Sequence, residues 1–173
     1  MDPTSAVTGL KRNFILQQGL EEPRAASCSA QYSSLHFQPR LVALVVLVAV
    51  ILKSPSIFLA LAGVLWWSAL FPRLSPFDAL YNRFLVAGSG RIALSPAPGP
   101  RRFAQGMAGT FSLAIGVSLL EGWHVTAIVL EVLLILAVSA LVLGGFCFGS
   151  FVFHLLCGRF AFARRTLPWA GGA

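Results

Sequence analysis

Four apolar stretches constrain this sequence more than any other feature. They lie within residues 35–52, 57–71, 103–120 and 125–157, and short segments that carry charge, glycine or proline separate them. A helix needs roughly 20 apolar residues to cross the hydrocarbon of a bilayer, so the two stretches of the first half are short for spans. We predict an all-α integral membrane protein with four transmembrane helices arranged as two helical hairpins, accompanied by amphipathic surface helices.

Composition and charge support a membrane protein. Hydrophobic residues make up 57% of the chain and charged residues only 11%, whereas about a quarter of a soluble domain is charged. The net charge of +7 would suggest nucleic acid in a soluble protein. Here all of the thirteen Lys and Arg residues except Lys53 fall on one side of the four-span arrangement. This distribution predicts that both termini are cytoplasmic, and it does not call for a nucleic-acid partner.

The apolar stretches divide the chain into five segments. Residues 1–34 form a cytoplasmic polar arm in which "KRNFILQQGLEE" could make an amphipathic helix at the membrane surface, and residues 35–71 form the first transmembrane hairpin, turning at Lys53 and Pro55. Residues 72–102 form a cytoplasmic linker. Residues 103–157 form the second hairpin, which turns at "EGWH" and has a kink or exit point at Gly144 and Gly145. Residues 158–173 form a basic cytoplasmic tail.

The linker opens with a helix-start signal, "SPFDALYNRFL". Ser75 can cap the helix, Pro76 suits its first position, and Asp78 lies near the positive end of the helix dipole. The apolar side chains that share one side of this helix predict that it lies flat at the interface: Phe77, Leu80, Tyr81 and Phe84.

Several motifs resemble one family. "QYSSLHFQPR", "FPRLSPFDALYNRF", "RRFAQG" and "GGFCFGSF" together cover residues 31 to about 157. The chain is similar to an uncharacterised bacterial family of four-helix membrane proteins, known only as a domain of unknown function. The resemblance implies a multi-pass protein of the bacterial cytoplasmic membrane. Members often carry a second cysteine where this sequence has Ser150, and some are associated with thioredoxin-like and sulfur-transfer neighbours.

The cysteines and histidines are the candidates for chemistry. Cys147, His154 and Cys157 point into one arc if the last helix is continuous, and His36 or Cys28 could join them in a metal or haem site. Their spacing matches no usual structural zinc motif, and buried cysteine commonly only packs. No cofactor is predicted, with haem, pigment or metal as the less favoured interpretation. Thiol chemistry at Cys147, with Cys157 or Cys28 as the second thiol, is a further alternative.

One acid lies deep in an apolar run, in "IVLEVLLIL". Glu131 is predicted near the bilayer centre, with no Lys or Arg inside any span to hold it charged. We expect a neutral carboxyl that donates a hydrogen bond to a hydroxyl or carbonyl of a neighbouring helix, or that meets a partner subunit.

A strip of small residues marks the third apolar stretch. Ala104, Ala108, Ser112 and Gly116 recur every four residues, which lets another helix approach closely. The favoured function is a non-catalytic structural or accessory subunit of a larger membrane assembly, in contact with lipids and other membrane subunits. The alternative is a cytoplasm-facing thiol protein that works through Cys147 with a thioredoxin-like partner.

Overall fold

The computed structural model describes residues 3–21, 25–86, 92–168 and 170, with side chains from residue 9 in the first range and residue 27 in the second. Arg24 and Arg91, which belong to the predicted cytoplasmic charge, lie outside these residues. The described elements are all helical. They are α1 (Pro3–Gln17), α2 (Ala25–Leu35), α3 (Phe37–Leu52), α4 (Pro55–Leu70), a 3-10 turn (Pro72–Leu74), α5 (Pro76–Tyr81), a π turn (Asn82–Val86), α6 (Gly99–Leu120), α7 (His124–Gly144), α8 (Phe148–Leu156) and α9 (Phe160–Arg165).

In the part of the chain that the structure describes, three helices are long and apolar enough to cross a membrane. These are Ser27–Leu52, Gly99–Leu120 and His124–Gly144, while the apolar helix Pro55–Leu70 is shorter. The first of them was predicted to begin at Leu35. It begins earlier, because His36 between α2 and α3 keeps right-handed helical angles and the backbone runs on through it. An all-helical fold with candidate membrane spans is therefore confirmed.

The helix breaks follow local backbone chemistry. Lys53 adopts left-handed angles, with φ 48°, and caps α3, and Pro55 then occupies the first turn of α4. Gly145, with φ 61°, ends α7 in the same way. The sequence suggested that Cys147, His154 and Cys157 belong to one long last helix, and this is wrong. They belong to the separate short helix α8 and its two ends.

Close helix packing centres on α4 and α6. A Cβ atom added to Gly109 would lie 2.8 Å from the Trp66 ring, and one added to Gly116 would lie 2.8 Å from Leu59. Since real Cβ atoms do not approach so closely, glycine at these positions sets the distance between the two helices. The main core forms around this contact, from Val42, Val46, Ala49, Phe58, Leu61, Leu65, Phe77, Ile115 and Leu134.

A second core holds the amino-terminal helices. Phe14 and Ile15 of α1 are 1% and 0% exposed and pack with Cys28, Leu35 and Tyr81. The apolar side of the predicted amphipathic segment is therefore packed against protein, and its position at the membrane surface stays a prediction. Asn13 Nδ2 also donates to the Leu167 carbonyl oxygen at 3.2 Å, which fastens α1 to the tail.

The linker helix α5 begins where the sequence predicted, but only part of its predicted apolar side is buried. Ser75 Oγ accepts a hydrogen bond from the Asp78 backbone N–H at 3.4 Å, as the cap prediction required. Phe77 and Tyr81 are buried, whereas Leu80 and Phe84 are exposed. Leu80 lies within α5, whereas Phe84 lies beyond its end at Tyr81, in a π turn that changes the angular spacing. That α5 lies flat at the membrane interface stays a prediction.

Candidate functional site

Cys147 lies where α7, α8 and α1 meet. Its backbone N–H donates to Gln17 Oε1 at 2.8 Å, and the Ser150 hydroxyl lies 3.3 Å from both Cys147 Sγ and the Pro100 carbonyl oxygen. Cys147 is 4% exposed and caps the amino terminus of α8. The sulfur therefore has one hydroxyl neighbour, lies at the amino terminus of a short helix and is shielded from solvent.

Gly149 holds α8 against α6. A Cβ atom added to Gly149 would lie 2.7 Å from both Cα and Cβ of Ala104. The first residue of the predicted small-residue strip therefore contacts α8, while its last residue, Gly116, contacts α4. Between them, Ser112 is fully buried and its hydroxyl donates to the Ala108 carbonyl oxygen at 2.9 Å. The strip therefore allows two helices, α8 and α4, to pack closely against α6.

His154 continues the contact between α8 and α1. Its Nε2 lies 3.1 Å from the Gln17 carbonyl oxygen, so this nitrogen carries the proton. The ring is 2% exposed and lies edge-on to Phe162, with centroids 4.7 Å apart. The pKa of His154 is lowered, mainly by burial of the imidazole and also by Arg159, and the Gln17 carbonyl opposes this only in part.

The lowered pKa of His154 predicts weaker anchoring of α1 in acid. Since the folded form binds a proton less readily than the unfolded form, this contribution to stability is complete above the ordinary imidazole pKa of about 6.5. It declines as the pH falls below that value. We expect the thermal midpoint to be a few degrees lower at pH 5.5 than at pH 7.5. This corresponds to a decrease in the free energy of unfolding on the order of 1 kcal/mol. The drop should be smaller in His154→Gln, and equal drops would contradict this assignment.

The proposed metal ligands do not come together. Among the residues that the structure describes, no group of three or more His, Cys, Asp and Glu side chains could hold a metal ion. His36 instead packs against Tyr32 and Phe14, in tilted ring contacts with centroid distances of 4.1 and 4.4 Å. Cys157 is exposed, and Cys28 is buried in the second core. All three cysteines are free.

The environments of the three cysteines predict an order of alkylation. Cys157 is exposed and should react first with a maleimide. Cys147 and Cys28 are each 4% exposed and should react on the order of 100-fold more slowly, because reaction requires local opening. Mass spectrometry of the peptides from a time course measures the three rates. Rapid labelling of Cys147 in the folded protein would contradict the packing described here.

Glu131 forms an ion pair that the sequence analysis excluded. It is 3% exposed, and its Oε2 accepts a hydrogen bond from Lys53 Nζ at 3.0 Å. The expected hydroxyl partner is therefore wrong. The error came from placing Lys53 at the outer surface only, since its long side chain reaches the first two turns of α7 from the turn between α3 and α4. The other oxygen, Oε1, has no partner among the described residues.

A buried polar cluster links α3, α5 and α6. The Arg101 guanidinium donates to Asp78 Oδ1 at 2.8 Å and to Gln38 Oε1 at 2.7 Å, and Gln105 Nε2 donates to the same Gln38 oxygen at 3.0 Å. All four residues are at most 6% exposed. The sequence analysis missed this cluster, because Arg101 counted only as a cytoplasmic charge. The i, i+4 spacing of Arg101 and Gln105 was its one local signal.

Two cavities adjoin these residues. An apolar cleft of about 490 Å³ lies between α6, α7 and the start of α8, with Cys147 on its wall. A smaller cavity of about 80 Å³ lies on the inner side of α6, and its polar lining residues are Gln18, Gln38, Arg101 and Gln105. Ala104, Ala108, Val138, Leu141 and Cys147 border both.

The sequence profile of the family described as Domain of unknown function, DUF4395, matches residues 33–157. The chain belongs to this family. The DUF4395 region begins within the helix Ser27–Leu52 and ends at the carboxyl end of α8, so it contains the polar cluster, the ion pair and the large cleft. It does not contain α1, and Phe14 and Gln18, which help to line the smaller cavity, lie outside it. The resemblance seen in the motifs is thereby confirmed. No curated protein and no solved structure matches the chain.

Proposed function

We propose that this DUF4395 protein crosses the membrane four times, through Ser27–Leu52, α4, α6 and α7. At 1.5 Å per residue, the 16 residues of α4 extend about 24 Å, so the bilayer must thin around this helix. An even number of spans places both termini on one side together with every basic residue except Lys53. This distribution supports a bacterial cytoplasmic membrane with both termini in the cytoplasm.

The function that the geometry supports best is a non-catalytic accessory subunit of a larger membrane assembly. The observation that carries this proposal is the surface of α7. This helix is the most apolar of the three long helices, and most of it is not buried inside the protein. Its outer face is a long apolar ridge of Val125, Ile128, Val129, Val132, Leu136 and Leu143. Such a face can pack against the helix of another subunit as well as against lipid.

Site-specific photo-crosslinking in native membranes tests this proposal. A photoreactive residue at Leu136, which is 61% exposed, should give a discrete protein adduct. Leu44 on α3 is a matched control, since it is 57% exposed on a different helix. We expect lipid adducts alone at Leu44. Lipid adducts alone at both positions would overturn the assignment of α7 as the subunit interface.

A second candidate function is thiol exchange at Cys147, favoured by the Ser150 hydroxyl beside its sulfur. The Cys147 thiolate would attack a disulfide of a thioredoxin-like partner, breaking the S–S bond and releasing the partner's other sulfur as a thiolate. Cys157 or Cys28 would then have to resolve the mixed disulfide. The 4% exposure of Cys147 requires α8 to move first. Trapping the mixed disulfide in cells, and its loss in Cys147→Ser, would test this candidate.

A further inference from the structure

The small cavity has a polar wall with unused hydrogen-bonding capacity. Gln105 is 5% exposed, and its Oε1 accepts no hydrogen bond from any described residue, although its Nε2 is bound to Gln38. A buried carbonyl oxygen without a donor is costly, and such groups call for an explanation in a folded protein. Arg101, whose guanidinium is a hydrogen-bond donor, and Gln18, whose amide both donates and accepts, line the same cavity. The wall therefore suits a group that both donates and accepts, such as a hydroxyl.

The large cleft has the opposite character. Its lining is aliphatic and aromatic side chains of α6 and α7 together with Phe146, Cys147, Phe148 and Gly149. Its volume of about 490 Å³ lies within the range of ligand pockets, roughly 300 to 1,000 Å³. It is suited to a hydrocarbon chain, because no charged side chain of the described residues lines it.

The cleft and the cavity meet between α6 and α7. Two of the residues that border both are alanines of α6, Ala104 and Ala108, and they face Val138 and Leu141 of α7. Because these two side chains are small, this boundary is where one extended hydrocarbon chain could pass most easily. Ala104 and Ala108 lie in the first three turns of α6, close to the end that carries Arg101 and Arg102.

We propose that the cleft and the inner cavity form one binding site for a single-chain lipid whose headgroup carries a hydroxyl. The chain occupies the cleft, passes between Ala108 and Leu141, and brings the hydroxyl to Gln105 Oε1. The hydroxyl donates to that oxygen and accepts from the Arg101 side of the wall. The cleft shares Leu136 with the exposed ridge of α7, but the rest of its lining does not belong to the ridge, so the site does not require a subunit on the ridge.

Photo-labelling of the full chain in lipid nanodiscs tests this site. The probes are hexadecanol with a photoreactive diazirine in its chain and hexadecane with the same diazirine. We expect hexadecanol to label peptides around Met107 and Leu134 saturably, and unlabelled hexadecanol to compete with it. Gln105→Leu should weaken hexadecanol labelling about tenfold, the loss expected from one hydrogen bond to the headgroup. Hexadecane should label weakly and without saturation.

Two further variants make the result decisive. Ala108→Phe fills the gap between the cavities and should abolish labelling on the inner side. Thr110→Val is the matched control, since Thr110 lies on the same helix but is exposed and bonds only to its own backbone through the Gly106 carbonyl. Helical content by circular dichroism confirms that each variant is folded. Equal labelling by hexadecane, or unchanged labelling of folded Gln105→Leu, would overturn the proposal.

Discussion

Replacing Arg101 with alanine should lower the free energy of unfolding by about 3 to 5 kcal/mol, the largest loss expected from any single polar side chain of this protein. The guanidinium is the hydrogen-bond donor shared by Asp78 and Gln38. Without it, the carboxylate of Asp78, whose side chain is 9% exposed, is left buried without its positive partner. Unfolding in mixed micelles, by titration with SDS and followed by circular dichroism, measures the loss.

A second variant separates the lost charge from the lost packing. The double variant Asp78→Leu with Arg101→Met removes both charges at similar volume and should regain most of the stability. Arg102→Ala is the matched control, because Arg102 is the adjacent arginine and makes a single hydrogen bond to the Ala69 carbonyl oxygen. We expect it to cost about 1 kcal/mol. A loss in Arg101→Ala no larger than that of Arg102→Ala would contradict the role assigned to the cluster.

The ion pair between Lys53 and Glu131 should respond unequally to the loss of each partner. Lys53→Met leaves Glu131, which is 3% exposed, without a counter-charge and should cost about 1 to 3 kcal/mol. Glu131→Gln should cost less, since the amide oxygen still accepts from Lys53. The side chain of Lys53 is 58% exposed, so its charge remains hydrated in that variant. The same SDS titration measures both variants.

A double variant again provides the control for this pair. Lys53→Met with Glu131→Leu removes the buried acid together with its partner and should be more stable than Lys53→Met alone. If Glu131→Gln instead proved more damaging than Lys53→Met, the carboxylate itself would have a role beyond this contact. A proton relay or a charged partner would then have to be considered for Glu131.

The sequence predicted the parts of the fold that depend on neighbouring residues. The apolar runs predicted the long helices, Ser75 with Pro76 predicted the start of α5, and Gly145 marked the end of α7. These features follow from backbone chemistry and hydropathy over a few turns. Family membership was likewise predicted from four short motifs, which the DUF4395 match confirms.

The contacts that build the candidate sites join residues far apart in the chain. Arg101 lies 23 residues from Asp78 and 63 from Gln38, and Gln17 lies 130 residues from Cys147. No periodic pattern within one segment encodes such pairs. The partner of Glu131 was missed for a different reason. Lys53 was assigned to the surface from its place between two apolar stretches of the sequence, whereas its flexible side chain decides where the charge lies.

The size of the particle released from native membranes tests whether the protein is an accessory subunit of a larger assembly. The protein carries a tag at one terminus, is extracted in a mild detergent and is analysed by native mass spectrometry. We expect a particle larger than one chain that contains a second polypeptide in fixed ratio. The crosslink from Leu136 should identify the same polypeptide. Extraction of a single 173-residue chain with bound lipid alone would contradict the assignment of an accessory subunit.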